Sequence, residues 1–375
     1  MEKRKDNINI GKLQNIIQKE NQSMKKTFTL KIILLLIFII GFVAGCGGGI
    51  STPSSSTNSP VTIYTGEEYS LGAGYIPCYW DGNGVKHVLP VTTNLSYMVK
   101  SIFISNNVVY AGGYIDTSSG VACYWDNNGE HGLTISGATR SYVNSIFVKD
   151  NNVYACGYYD TGTAHVACYW KDSVKYDLNS NGYSYAHANS IFVDNTGVYV
   201  GGDVGSSVSS PNACYWANST TPSTSLISNA TVMFIFAYKN DVYSCCQDHS
   251  TNRYFSTYWL NTTEHFPAVP AGYTGHVTSI FVDNNSFYAG GYYSNGSSNV
   301  VCYWDNSGRY DLENTNDSVE KTSISILVKN NSVYVGGIKS GSSGDNAYYW
   351  DSKGGHPVYH FPQYSGWGFC PVFMQ

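Results

Sequence analysis

Histidine, carboxylate and tyrosine side chains recur in this chain at an interval that invites a chemical reading. Met98, Tyr142, His187, Thr231, His276 and Thr322 follow one another at spacings of 44 to 46 residues. Around these positions lie Asp116, Asp160, His165, Asp203, Asp248, His249, Arg253, Tyr254, Asn295 and Lys339, and also Tyr97, Arg140, Tyr183, Tyr185 and Tyr273. Two carboxyls, or a carboxyl with a histidine, could do acid–base work on a glycosidic bond. Tyr beside Asn, Asp and His suits stacking on sugar rings and polar protein interfaces. The specific signatures of catalysis are missing: there is no G-x-S-x-G, no H-E-x-x-H and no D-x-D-x-D-G. His187 and His276 are only two ligands where zinc needs three or four, so no metal and no cofactor is expected.

The elements that must position these residues come from a repeat. Trp80, Trp125, Trp170, Trp216, Trp259, Trp304 and Trp350 are spaced by 45, 45, 46, 43, 45 and 46 residues. Most sit in Cys-Tyr-Trp, at Cys78, Cys123, Cys168, Cys214 and Cys302. Upstream of each Trp from the second on lies an apolar run such as Ser101-Ile102-Phe103 or Ser190-Ile191-Phe192, with looser copies around Ile235 and Ile326, and Ile63 is read as marking a shortened first copy. Between run and Trp comes Val-Tyr with a Gly pair, as in Tyr110 to Gly113, Tyr199 to Gly202, Tyr288 to Gly291 and Tyr334 to Gly337. Cys156-Gly157 and Cys245-Cys246 depart from the pair. Asn106-Asn107 and its relatives suit the tight turn from first to second strand, and Asp126 to Gly129 the turn from third to fourth.

Four short antiparallel strands in each 45-residue unit make a propeller blade, and seven units make an all-β, seven-bladed β-propeller over residues 61–361, with a tail at 362–375. If strands alternate in direction, the short uniform turns share one face of the ring. The variable two-to-three loops and inter-blade connections share the other, as expected of a binding face on a rigid scaffold. The binding-face candidates are Tyr142, Tyr185, His187, Tyr273, His276, Asp160, Asp203, Asp248 and Arg253.

Composition agrees. Of 375 residues, 42% are hydrophobic and 13% charged, with 33 Tyr and 38 Gly, which favours strands and turns around a sizeable core. Residues 1–45 hold eight Lys/Arg and three acids, leaving 13 basic and 23 acidic residues in the body, a net −10. An acidic body argues against a nucleic-acid partner. Five of the ten cysteines occupy one repeated strand position in different blades, too far apart to pair easily, and read as small buried hydrophobes.

From Met24 the chain runs through Lys25-Lys26 and an apolar stretch, Ile32 to Val43, to Val43-Ala44-Gly45-Cys46. That is the layout of a signal peptide, with Met24 the expected start, and the stretch is short for a transmembrane helix. Residues 43–46 resemble the lipobox of bacterial lipoproteins, which implies that Cys46 is acylated and becomes the new N-terminus. Residues 47–60, rich in Gly, Ser, Thr and Pro, read as a flexible tether. The repeat resembles the kelch repeat, and more closely the SIFV-x-N-x-VY-x-GGY…ACYW repeats of bacterial lipoproteins. These resemblances imply a propeller and leave activity open. The expectation is a monomeric, lipid-anchored propeller in the cell envelope, a non-catalytic module for a glycan or protein. A polysaccharide-acting hydrolase or lyase, and a structural envelope protein, are the alternatives.

Overall fold

A computed structural model describes residues 63–70, 75–222, 226–249, 256–315, 318–319, 324–341, 344–360 and 372–374, so Cys46, the signal and tether segments, Arg253, Tyr254 and Thr322 lie outside the described residues. The described chain is all-β, seven four-stranded antiparallel blades in a ring. Blade 2 shows the plan: Ser96–Ser105, Val108–Asp116, Val121–Asp126 and Gly129–Gly132, paired in that order from the inside outward. Blade 3 is Arg140–Lys149, Asn152–Asp160, His165–Lys171 and Val174–Asp177. Blade 4 is Tyr185–Val193, Val198–Gly205, Pro211–Ala217 and Ile227–Ser228, and blade 5 begins with Ala230–Tyr238 and Asp241–Asp248. Blade 6 begins with Thr274–Asp283 and Ser286–Ser294. In blade 7 the inner pair is Ser325–Lys329 and Ser332–Gly341.

Blade 1 corrects the expectation for both ends of the propeller. Ile63–Ser70 is a second strand, not a first, because it pairs outward with Tyr75–Trp80 as the Gly-pair strands do elsewhere. Its inner partner is Val372–Met374, from the segment read as a tail, with Tyr64 opposite Phe373. The C-terminal end therefore closes the ring as the innermost strand of blade 1.

The core lies between blades rather than inside them. Tyr124 and Leu133 of blade 2 pack on Val143, Ile146 and Trp170 of blade 3, and Tyr154 and Leu178 of blade 3 pack on Ile191 and Trp216 of blade 4. Trp125, Trp170, Trp216 and Trp350 are each at most 1% exposed. A Trp buries roughly 150 to 250 Å², some 4 to 6 kcal/mol of gross transfer energy before entropy is charged, so these four Trp are first blade-to-blade anchors. The eight described cysteines are buried, as small core residues.

The motif residues have individual reasons. Five first turns carry two successive left-handed residues, among them Asn106-Asn107 (φ 51° and 62°) and Asn284-Asn285 (48° and 66°), which Asn tolerates. Three Ser of the Ser-Ile-Phe motif reach the next blade: Oγ of Ser101 accepts from Ile146 N at 3.1 Å, Oγ of Ser145 from Ile191 N at 3.4 Å and Oγ of Ser190 from Ile235 N at 3.1 Å. Phe103, Phe147, Phe192, Phe236 and Phe281 run ring to ring from blade 2 to blade 6, at 4.4 to 5.8 Å between centroids, forming a belt along the innermost strands.

Candidate functional site

One deviation from regular pairing builds the site. In five first strands the register slips by one residue, just before the Ser in four of them and before Phe234 in blade 5, leaving Lys100, Asn144, Asn189, Met233 and Thr278 as bulges. Opposite the bulge in four blades, the second Gly of the pair faces a carbonyl. A Cβ at Gly113 would stand 1.8 Å from the Met98 oxygen, at Gly157 1.9 Å from that of Tyr142, and at Gly202 2.0 Å from that of His187. The bulges also tie blades together, since Asn144 Nδ2 donates to the Ala188 carbonyl (2.9 Å) and Asn189 Nδ2 to that of Val232 (3.3 Å).

Beyond the bulge, toward the variable loops, each first-strand residue of the recurring series faces a second-strand residue. Met98 pairs with Tyr114, Tyr142 with Tyr158, His187 with Asp203, Thr231 with Gln247 and His276 with Tyr292. Over blades 2 to 4 these rings form a row. Tyr114 meets Tyr142 edge-on at 4.8 Å, Tyr142 stacks on Tyr158 at 4.9 Å, and Tyr158 stacks on His187 at 3.5 Å. Tyr158 thus stacks with both neighbouring rings, so the row packs against itself.

At the end of the row lies a polar cluster. His165 Nδ1 and His187 Nε2 are 2.8 Å apart, with the two rings within 3° of parallel. The Tyr185 hydroxyl is 3.0 Å from His187 Nδ1, and Asp160 Oδ2 stands 4.0 Å from His165 Nε2. Asp203, 1% exposed, accepts from Asn189 Nδ2 at 3.0 Å. Its Oδ1 is buried without a hydrogen bond of ordinary geometry, although the Tyr185 and Thr231 hydroxyls interact with the carboxyl. Burial pushes Asp203 up to about 6, against the hydrogen bonds from Asn189, Thr231 and Tyr185. Burial, with His165 beside it, pushes His187 down to about 3, so its imidazole is neutral at neutral pH. Burial and the Asp203 charge push the Tyr185 hydroxyl up.

The structure therefore brings Asp160, His165, His187, Tyr185 and Asp203 together and sets Tyr142 in the adjoining row. It does not bring in Tyr273 and His276, which belong to blade 6. There Tyr273 packs on Tyr293 (5.2 Å) and His276 stacks on Tyr292 (4.5 Å). Asp248 ends the second strand of blade 5, opposite Ala230. Tyr185, Asp203 and His276 correct the expectation of exposed loop residues, because all three lie in strands and are buried. Tyr114, Tyr158 and Asn189 were missed. Their signal was in the repeat: the residue after the Gly pair or its Cys-containing equivalent is Tyr114, Tyr158 and Tyr292 in three blades, and Asp203, Gln247 and Ile338 in three others. Among the described residues no group of three or more His, Cys, Asp and Glu is placed to hold a metal ion.

No family model matches the sequence, and no curated protein matches it. Among solved structures, the chain resembles a puromycin-hydrolysing peptidase of Mycobacterium tuberculosis, with a TM-score of 0.54 and 8% identity over 81% of this chain and 54% of that one. The likeness is one of fold alone, and the chain spans about half the length of that peptidase. A candidate 6-phosphogluconolactonase of Bacteroides fragilis aligns with a TM-score of 0.42 and 9% identity over 85% of this chain and 99% of that one.

Proposed function

We propose that this chain is a non-catalytic binding module whose ligand, a glycan or a protein, sits over the mouth of blades 3 to 5. One observation carries the reading. At equivalent positions around a uniform scaffold, the residues facing the variable loops change from blade to blade, and in blades 3 and 4 they converge as a cluster of hydroxyl, imidazole and carboxyl groups. Such a face recognises polar ligands through hydrogen bonds. Because the rings of the row stack on one another, a sugar would be held by their hydroxyl edges and the loops rather than by ring faces.

Display at the cell envelope through a lipid on Cys46 belongs to the same proposal, supported by the order of basic, apolar and small residues before that Cys. Cys46→Ser is expected to move the protein from the membrane fraction to the soluble one.

The test is a glycan array probed with residues 51–375, beside a Tyr142→Ala/His165→Ala variant and a Tyr273→Ala/His276→Ala variant. Saturable binding lost only in the first supports the blade 3 to 5 site. Equal loss in both removes the site assignment, and no binding to any glycan leaves the protein partner. A second reading, a polysaccharide-acting hydrolase, is favoured by the contact of Asp160 and Asp203 with one His and Tyr chain. Reducing ends released from a polysaccharide panel, and lost in Asp203→Asn, would establish it.

A further inference from the structure

Asp203 is a carboxyl that bulk water does not reach, yet it is linked to the surface by groups that both donate and accept protons. From Asp203 the neighbours run to the Tyr185 hydroxyl, on to His187 Nδ1 at 3.0 Å, across the imidazole to His165 Nδ1 at 2.8 Å, and out to Asp160 at 4.0 Å from His165 Nε2. The two imidazoles lie almost parallel with centroids 5.1 Å apart, as coplanar rings joined end to end by one N–H···N bond would be. Tyr158 covers His187 at 3.5 Å and shields the joint. His165 and Asp160 are half-buried and mark the solvent end.

The geometry points to a proton wire in which Asp203 exchanges its proton with solvent through Tyr185, His187 and His165, emerging beside Asp160. Inward, hydronium protonates His165 Nε2 and His165 Nδ1–H passes its proton to His187 Nε2. His187 Nδ1–H then passes one to the Tyr185 oxygen, and the Tyr185 O–H proton goes to Asp203. One proton enters, one carboxylate becomes a carboxylic acid, and every intermediate group ends neutral. The outward passage reverses each hop and restores the starting tautomers. A neutral His187 suits this role, since it can accept on one nitrogen while donating from the other.

The remaining groups around the path are accounted for. Asn189, Thr231 and the Cys214 thiol face Asp203. Tyr142 and Arg140 act on Tyr158, which covers the wire. One competing exit exists, from Thr231 to His249 Nε2 at 3.2 Å, on an exposed side chain. The wire couples the buried carboxyl to the mouth, so a polar ligand that contacts its solvent end at His165 and Asp160 and shifts the Asp203 equilibrium takes up or releases a proton as it binds. It does not require the glycan or protein reading, and its test uses no ligand.

The test follows the infrared C=O stretch of protonated Asp203, assigned by its absence in Asp203→Asn, after a jump from about pH 8 to about pH 5 in the folded protein. Tyr185→Phe removes the hydroxyl and keeps the ring. It is expected to slow loading of Asp203 more than about tenfold, with end-point amplitudes separating rate from equilibrium, and His187→Phe is expected to do the same. Thr231→Val and His276→Gln should stay within about twofold of wild type. Unchanged rates in Tyr185→Phe, or slow loading in Thr231→Val, would overturn the wire, as would the lack of any Asp203→Asn-sensitive band. Tyr185→Phe decides the matter alone if His187→Phe does not fold.

Discussion

Asp203 stands where Tyr114, Tyr158 and Tyr292 stand in other blades, and exchanging a ring for a buried carboxyl has a thermodynamic consequence. Its folded value of about 6 lies above the ordinary carboxylate value, so ionisation is penalised in the fold. The penalty is absent below about pH 4, grows as pH rises to about 6, and stays near 3 kcal/mol above that. Asp203→Asn should therefore unfold at higher urea than wild type at about pH 8 and at the same urea at about pH 4. Equal shifts at both pH values would show that the carboxyl is not buried as described. His187 acts in the opposite sense. Its folded value of about 3 lies below that of a free imidazole, so its contribution is complete above about pH 6.5 and is lost as pH falls toward 3. A His187→Gln variant should accordingly lose less stability between those limits than wild type.

Strand pairing sets what each blade tolerates. The bulge in the inner strand turns a carbonyl onto the second Gly of the pair, which explains that Gly through contact rather than through φ. Gly157→Ala, with its Cβ 1.9 Å from the Tyr142 oxygen, is expected to cost more than about 3 kcal/mol in urea unfolding. Gly132→Ala, whose nearest neighbour lies at 3.8 Å, should stay within about 0.5 kcal/mol. Ser190→Ala removes the acceptor of the Ile235 N–H and leaves a buried donor unpaired, for about 1 to 3 kcal/mol. These residues are legible in the sequence as a motif. Their purpose is not, because a bulge is a relation between two paired strands of a blade and the hydrogen bond from Ser190 is one between blades, at residues 45 apart, and a repeat records only that something is kept.

At the scale of the whole molecule, the ring depends on its closure. Removing residues 372–375 deletes the inner strand of blade 1 and leaves the inner edge of Ile63–Ser70 unpaired. The melting midpoint is expected to fall by more than about 5 °C. A shortened chain that melts with the full-length one would show that closure contributes nothing. Because the core is distributed between blades, the eight described thiols should react with Ellman's reagent only as the fold is lost. Prompt labelling of any of them in the native protein would contradict their burial.

The sequence by itself determined the fold class, the blade number, the turn chemistry and the side of the ring on which variable residues gather. All of these follow from local periodicity, repeated seven times with small errors that cancel. Tertiary structure decided the rest. It closed the ring with a strand from the opposite end of the chain, which pairing rather than spacing identifies. It joined His165 of one blade to His187 of the next and buried Tyr185 and Asp203, while leaving His276, the same residue type at the same repeat position as His187, stacked on Tyr292 in blade 6. A side chain's charge state and partners depend on what the neighbouring blade places against it, and no single repeat encodes its neighbour.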